Sequence, residues 1–320
     1  MAVYLVTGIA GFIGSSLART LLARGEQVRG IDNFCTGKRE NLADMLDRIV
    51  FIEGDVGDPT ASAEACRGAD YVFHEAALAS VPRSVEDPVS TNQNNVTATL
   101  QLLLAARDAG VKRVVYAGSS SAYGETPELP KREDMTPSPI SPYAVSKLAG
   151  EQYMASFYRV YGLQTVTLRY FNVFGPWQAA DSQYSGVLAK FITSMLRGEQ
   201  PTIFGDGEQS RDFTYIDNVV SGNLLACSAD ASVCGDVFNV ATNSRITLNE
   251  TFEVLKRIIG YPGDVAYAAE RTGDIKHSFA DISKAKRGLG YEPLVGFEEG
   301  LRHTVDWYRT QMKPAVAAFS

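Results

Sequence analysis

An α/β fold is predicted for this chain: a doubly wound parallel sheet carrying a smaller, discontinuous α/β lobe. Short apolar runs at 3–7, 27–31, 49–53, 70–73, 113–117 and 165–170 have strand length, and longer amphipathic stretches separate most of them. That alternation is the pattern of parallel strands with helices on both faces. A glycine-rich turn joins the first run to a helix over 12–24, and Val237-Phe238-Asn239-Val240 reads as one late strand. The stretch 214–236 then returns to the first lobe, so that 1–172 with 214–239 forms the sheet domain and 173–213 with 240–320 the smaller one.

The first strand runs into Gly8-Ile9-Ala10-Gly11-Phe12-Ile13-Gly14. Glycine removes the side chain where backbone must approach a pyrophosphate, and a helix N-terminus supplies N–H groups and positive potential. Gly8, Gly11 and Gly14, with the intervening Phe12 and Ile13, are therefore candidate contacts to a dinucleotide. The second strand ends in Gly30-Ile31-Asp32-Asn33, which places a carboxylate at the adenosine ribose and favours NAD over NADP; a solvated turn would also accommodate Asp32. After the third strand, Asp55 and Val56 stand where they could flank the adenine or simply make a turn.

The fifth strand is followed by Ser119-Ser120-Ser121, and Tyr143 precedes Lys147 by four residues. Residues four apart share a helix face, so the ammonium can sit near the phenol and lower its pKa. A phenolate base near neutral pH becomes conceivable. The serines could orient a hydroxyl and relay its proton, or could satisfy backbone groups in a turn.

With 320 residues, 45% of them hydrophobic, the chain can bury one large core or two coupled ones. A net charge of −7 provides no basic field for nucleic acid or an acidic membrane surface, so an anionic ligand must be held by a few local groups. Cys35, Cys66, Cys227 and Cys234 contain no Cys-x-x-Cys pair, and His74, His277 and His303 lie far apart. Neither a disulfide framework nor a metal site is suggested, and the cysteines read as small buried apolar residues. The N-terminus lacks the features of a signal peptide and no apolar run approaches a membrane span, so a cytoplasmic protein is expected.

Taken with Tyr143 and Lys147, the Gly8/Gly11/Gly14 spacing resembles the extended short-chain dehydrogenase/reductase family, whose cofactor lobe is a Rossmann fold. The segments Arg169-Tyr170-Phe171-Asn172-Val173-Phe174-Gly175-Pro176, Gly205-Asp206-Gly207 with Arg211-Asp212-Phe213, and Arg271-Thr272-Gly273-Asp274 are similar to its UDP-sugar 4-epimerase branch. Singly, each has a structural explanation, Arg169 as a surface charge for instance; in series they cover the chain from residue 3 to past 290.

The resemblance implies that Arg211 and Arg271 hold the diphosphate, that Asn172 donates its amide to it, and that Asp274 reaches the uridine ribose. It further implies that Lys147 holds the phenolate and the nicotinamide ribose, and that Tyr170 and the buried helix residue Asn95 belong to the NAD site. His74-Glu75-Ala76-Ala77 looks like the segment that passes beneath the pyrophosphate, with Ala76 and Ala77 against the cofactor; Glu75 departs from the more usual apolar residue. Ser121 and Val187 are implied to border the sugar.

Hydride would leave C4 once Tyr143 removes the C4 hydroxyl proton, with Ser119 and Ser120 assigned jointly to the relay, and would return to the other face of a 4-keto intermediate. NAD would be regenerated in each cycle and stay tightly bound. Related dehydratases carry an Asp-Glu pair where this chain has Ser120 and Ser121, which disfavours loss of water. A small Ser278 leaves room for an N-acetyl group at C2, and the loop 79–84 containing Ser80 is similar to one in epimerases of N-acetylated sugars. Interconversion of UDP-N-acetylglucosamine and UDP-N-acetylgalactosamine is therefore expected, with UDP-glucose and UDP-galactose as further substrates. A UDP-glucuronate 4-epimerase or decarboxylase is an alternative, and a non-catalytic NAD-sensing protein is another. The apolar stripes of helices over 87–109 and 143–162 imply, by the same resemblance, a homodimer joined through a four-helix bundle.

Overall fold

A computed structural model describes residues 1–180, 186–270 and 276–312. Strand β1 (Val3–Thr7) leads into α1 (Phe12–Ala23), β2 (Gln27–Asp32), β3 (Val50–Glu53), α2 (Pro59–Cys66) and β4 (Tyr71–His74). Next come α3 (Val81–Glu86), α4 (Pro88–Asn92), α5 (Ala98–Asp108), β5 (Arg113–Ser119), α6 (Pro142–Tyr161) and β6 (Gln164–Tyr170). The stretch expected as one helix over 87–109 is α4 joined to α5 through a π-helical turn at Gln93–Thr97. Asp87 caps its start by accepting the N–H of Ser90, with Pro88 in the first turn.

The remaining elements are β7 (Val173–Phe174), α7 (Val187–Leu196), β8 (Thr202–Phe204), β9 (Ser210–Arg211), β10 (Thr214–Tyr215) and α8 (Ile216–Ser228). They are followed by β11 (Val237–Val240), β12 (Ile246–Thr247), α9 (Leu248–Ile259), β13 (Ala266–Ala268), α10 (Ser283–Leu289) and α11 (Phe297–Met312).

Seven strands form one sheet in the order β11-β6-β5-β4-β1-β2-β3, every neighbouring pair parallel. The chain winds outward from β1 in one direction and from β4 in the other. The crevice at that reversal, outside the carboxyl ends of the strands, is where such sheets take ligands. Beyond the sheet, β7 pairs with β10, β8 with β13 and β9 with β12, as three ribbons of two strands each. Helix α10 falls within the range assigned to the smaller lobe, yet Ala285 and Leu289 are buried as it packs on β11 and α8 of the sheet domain.

One apolar core joins Leu5, Val72, Val114, Leu102, Met154 and Phe157 on the face covered by α2, α5 and α6. The other begins under α1 and α8 and continues without a break into the second lobe through Phe174, Phe213, Leu188 and Phe252. Arg169 is no surface charge. It is 2% exposed on β6, and its Nε and Nη2 donate to the two carboxylate oxygens of Glu151 on α6 at 2.9 and 2.7 Å. A fork-to-fork pair of this kind fixes helix against strand, because removing either partner would strand a buried charge.

Close by, α6 touches the sheet at Gly150, where an added Cβ would lie 2.2 Å from the Tyr116 hydroxyl oxygen. Cys66, Cys227 and Cys234 are buried as expected, whereas Cys35 is exposed because it lies in the loop after β2 and not in an element. No helix among the described residues is long and apolar enough to cross a membrane.

Candidate active site

The turn after β1 is shaped by contact. Gly8 has φ +64, and a Cβ there would come within 2.8 Å of the Ala76 backbone; one at Gly14 would lie 2.3 Å from the Gly8 carbonyl oxygen. Backbone from the ends of β1 and β4 therefore meets with no room for side chains. Helix α1 starts here with Gly11 at its N-cap and no side-chain hydrogen bond on that cap. Phe12 and Ile13 are partly buried, their side chains packed against the core.

A cleft opens beside this turn, lined by Gly8, Gly11, Asp32, Asn33, Asp55, Val56, Ala76 and Ala77 among others. Asp32 accepts the Ala10 N–H at 2.9 Å and the Phe34 N–H at 2.8 Å. Burial raises its carboxyl, and those two N–H groups pull it back down. The Asn33 amide donates to Asp55 at 2.9 Å, tying together the loops after β2 and β3. A glycine cradle at a helix N-terminus, with a carboxylate one strand away, fits an NAD pyrophosphate and its adenosine ribose. Cys35, Thr36, Gly37, Asn94 and Ala98 also line the cleft, and sequence reasoning missed them. Only proximity in space identifies them.

Asn95, expected at the cofactor, is spent elsewhere. Its amide donates to Leu78 O and Ser146 Oγ at 3.2 and 2.9 Å, and its oxygen accepts the Leu78 N–H at 2.8 Å. It braces the segment after β4 against α6, while its neighbour Asn94 lines the cleft. His74 is a second brace. Thr99 gives its hydroxyl proton to Asn95 O at 2.6 Å and so accepts from His74 Nε2 at 2.9 Å, which leaves Nδ1 to accept from Thr7 at 2.8 Å. Burial and the Lys147 charge push the imidazole down to about 3, and it stays neutral.

The residues expected to carry the chemistry gather at the carboxyl end of β5 and the start of α6. Ser141 caps α6 by accepting the Ala144 N–H, Pro142 opens the helix, and Tyr143 stands in its first turn. Burial raises the Tyr143 phenol, and a hydrogen bond with Ser119 pulls it back down. Ser119 Oγ also lies 2.7 Å from Ser121 Oγ. Ser121 and Ser119 are thus joined hydroxyl to hydroxyl, while Ser120 opens the adjoining 3₁₀ turn.

Lys147 departs from the expectation that its ammonium lowers the phenol. Its Nζ donates to Ala117 O at 2.9 Å and lies 5.0 Å from the centre of the Tyr116 ring. Burial lowers its pKa and the charge of Glu75 raises it. Tyr143 and Lys147 share a helix face, but the ammonium donates to the Ala117 carbonyl of β5. Tyr170, at the end of β6, donates its hydroxyl to Glu75 Oε1 at 2.9 Å and accepts from Asn223 Nδ2 at 2.8 Å.

Across the cleft, Asn172 adopts φ +33 and donates its amide to Asp212 O at 3.2 Å. Arg211 is held by its own segment, Nη1 donating to Ser210 O at 3.0 Å and Lys276 O at 3.1 Å. Ser278 is half-buried, and its N–H donates to Ser210 O at 3.0 Å. Ser80 spends its hydroxyl capping α3, accepting the Arg83 N–H at 3.2 Å, and Val187 opens α7. Arg271 and Asp274 lie outside the described residues.

Sequence reasoning also missed Arg245 and Lys276. Together with Arg211 they surround His277, whose imidazole is pushed down first by burial and then by these cations. His277 Nδ1 lies 2.8 Å from Ser210 Oγ. In a chain of net charge −7 three cations gather at His277 against one carboxylate, Asp206, which lies 3.8 Å from Lys276 Nζ, and the balance is a local positive field of the kind a diphosphate requires.

Comparison with known proteins agrees with this geometry. Residues 4–241 match the family described as the NAD dependent epimerase/dehydratase family. The UDP-N-acetylglucosamine 4-epimerase of Methanobrevibacter ruminantium, solved with UDP-N-acetylmuramic acid, is 43% identical with a TM-score of 0.93, covering 97% of this chain and 99% of its own. The UDP-glucose 4-epimerase of Thermotoga maritima, solved with UDP-glucose, is 41% identical with a TM-score of 0.93, covering 97% and 100%. The UDP-glucuronic acid 4-epimerase of Bacillus cereus, solved with UDP-glucuronic acid and NAD, is 33% identical with a TM-score of 0.89, covering 97% and 99%.

Proposed function

Because this chain belongs to the NAD dependent epimerase/dehydratase family, we propose that it is a 4-epimerase interconverting UDP-N-acetylglucosamine and UDP-N-acetylgalactosamine. The observation that carries the chemistry is the buried Tyr143 phenol in the first turn of α6, whose pKa Ser119 at the carboxyl end of β5 draws down against the effect of burial. Tyr143 takes the proton of the sugar C4 hydroxyl, Ser119 orients that hydroxyl, and Ser121 steadies Ser119 from 2.7 Å. Bound NAD supplies the hydride acceptor, and Gly8, Gly11 and Asp32 would hold it. Once the 4-keto sugar has turned over in the cleft and regained hydride, Tyr143 returns the proton. No carboxylate occupies position 120 or 121, so the chain presents no acid-base pair there to expel water.

Arg211, Arg245 and Lys276 hold the diphosphate, and Ser278 leaves space beside C2. UDP-glucuronate is the second reading, favoured by the likeness to the Bacillus cereus enzyme. Purified protein incubated without added NAD with UDP-N-acetylglucosamine, UDP-glucose and UDP-glucuronate separates these readings by product analysis. Conversion of the N-acetylated sugar to its C4 epimer as the fastest reaction is expected. Conversion of UDP-glucuronate alone replaces this reading with the second, and binding without any turnover makes the protein a cofactor sensor.

The protein assembles as a homodimer in this proposal. Val81, Val85 and Val89 are 42%, 66% and 64% exposed along α3 and α4, beside Val145 at 53% on α6. These exposed valines on three adjoining helices form an apolar patch that a second copy would cover. Sedimentation at twice the chain mass is expected, and a single-chain mass refutes it.

A further inference from the structure

Asp212 takes no part in the reaction just described, yet it is wholly buried, and each segment it binds carries a residue assigned to the substrate. The inference that follows rests on that assignment of Asn172, Arg211, Arg245, Lys276 and Ser278.

Strand β9 consists of Ser210 and Arg211 alone and has a neighbour on each side. On one side β12 pairs with it antiparallel, Ile246 opposite Arg211 and Thr247 opposite Ser210, which brings in Arg245 as the residue before β12. On the other, the Ser210 N–H donates to Lys276 O at 3.0 Å and Ser210 O accepts the Ser278 N–H at 3.0 Å, a parallel bridge centred on His277. Three cationic side chains thus stand on three adjoining segments. So short a ladder is little to hold them in register.

Where that backbone ladder stops, the Asp212 carboxylate continues it to both sides. Its Oδ1 accepts the Thr242 N–H at 2.9 Å and the Thr242 hydroxyl at 2.7 Å. Its Oδ2 accepts the Ala280 N–H at 3.4 Å, a longer contact. With its one proton on Asp212, Thr242 Oγ1 accepts from Ser244 Oγ at 2.7 Å, so the hydroxyl chain ends one residue short of Arg245. The Asp212 carbonyl oxygen takes the Asn172 amide at 3.2 Å. Between Thr242 and Ser244, Asn243 has φ +55, a left-handed conformation that persists where the surrounding structure fixes it.

Stability alone does not call for a carboxylate here. Its donors are neutral groups, and taking a charge out of water without a cation opposite is costly, whereas an apolar side chain would avoid that cost. What the carboxylate adds is two acceptor oxygens that reach two segments at once.

We propose that Asp212 is a positioning residue for the nucleotide diphosphate: acting through Thr242 and Ser244 on one side and through Ala280 on the other, it holds the turn that carries Arg245 in register with the segments that carry Arg211 and Lys276. Preset in this way, the three cations meet two phosphates without first having to be ordered.

The test separates the second phosphate from the rest of the nucleotide. Protein as purified is titrated by calorimetry with UDP and with UMP. Asp212→Asn keeps the shape and removes the charge; Thr242→Val keeps the volume and the N–H but removes the hydroxyl, and Thr242→Ser keeps both donors. The ratio of UDP affinity to UMP affinity should fall about fivefold in Asp212→Asn and about threefold in Thr242→Val, and stand at the wild-type value in Thr242→Ser. Equal loss for both nucleotides overturns the proposal, because packing damage would not single out one phosphate, and so does an unchanged ratio in Thr242→Val. If Asp212→Asn does not fold, the two Thr242 variants decide. Wild-type protein that converts UDP-sugars while the variants keep its ratio preserves the functional reading and defeats this inference. The expected ratios in a protein inactive on every UDP-sugar do the reverse, and wild-type protein that binds neither nucleotide overturns both.

Discussion

The two walls of the cleft are built on different plans. On the side proposed for the cofactor, the cleft is lined by the turns at the ends of a seven-stranded parallel sheet, with polar groups such as Asp32 and His74 buried and satisfied internally. On the side proposed for the sugar, the polar side chains stand on or between ribbons two or three residues long, with Arg211, Arg245 and Lys276 acting on a single imidazole. The first plan gives a fixed mould, and the second a charged surface that can be re-equipped by changing a few residues. A cofactor restored in every cycle suits the mould, while a substrate that must enter and leave suits the surface.

Tyr143 lies on the seam between the walls and gives the largest effect. Tyr143→Phe should lower kcat by about 10²–10⁴-fold. NAD content and UDP affinity, followed by absorbance and calorimetry, should stay at wild-type levels, and a fall in both would show that the walls are not independent. Gly8→Ala attacks the mould alone. The positive φ and the 2.8 Å approach to Ala76 make the methyl strained, at about 1–3 kcal/mol, so NAD binding should weaken roughly tenfold to a hundredfold with UDP affinity unchanged.

Ser278→Tyr attacks the surface alone. Loss of kcat/KM on N-acetylated sugars by about 10–200-fold, with UDP-glucose spared, is the expected outcome; equal loss on every UDP-hexose would remove Ser278 from the pocket wall. His74 tests the internal bracing through pH. Its folded pKa of about 3 lies below the ordinary 6.5, so the stability it confers is fully present above 6.5 and is lost as pH falls toward 3, at up to about 1.4 kcal/mol per pH unit. The gap in unfolding free energy between wild type and His74→Gln should therefore shrink from pH 7.5 to pH 5 in urea titrations. Arg245→Ala is the mildest change. A rise of about two- to fivefold in the KM for the UDP-sugar is expected, with a weaker salt dependence of KM and unaltered NAD content.

The mould was legible in the sequence because local rules determine it. Glycine spacing, strand length and a carboxylate at a strand end all lie within short windows, and the strands fall within two residues of the apolar runs. Side-chain partnerships were less legible. Arg169 reads as a surface charge until Glu151, 18 residues away, is found on the facing helix. Asn94 and Asn95 are indistinguishable in sequence, yet a π-helical turn sends one toward the cleft and the other toward Leu78 and Ser146. The Tyr143 to Lys147 spacing correctly indicates a shared helix face, but it carries no information about the Ala117 carbonyl that claims the ammonium. Arg245 and Lys276 have no local signature, because they meet around His277 from segments 31 residues apart in sequence.

The bare helix position at Gly150 sets a mechanical tolerance. It lies seven residues, or about 10 Å of helix, from Tyr143, and there the backbone of α6 rests on the Tyr116 hydroxyl. The chain accepts a residue that weakens a helix interior by about 1 kcal/mol relative to alanine. In return, α6 becomes a lever with its fulcrum against the sheet and its free end carrying the phenol. A methyl group at the fulcrum lifts the arm, and acid-base chemistry between Tyr143 and Ser119 is sensitive to displacements of an ångström. Side-chain volume two turns from the reacting atoms thus decides whether a proton can cross.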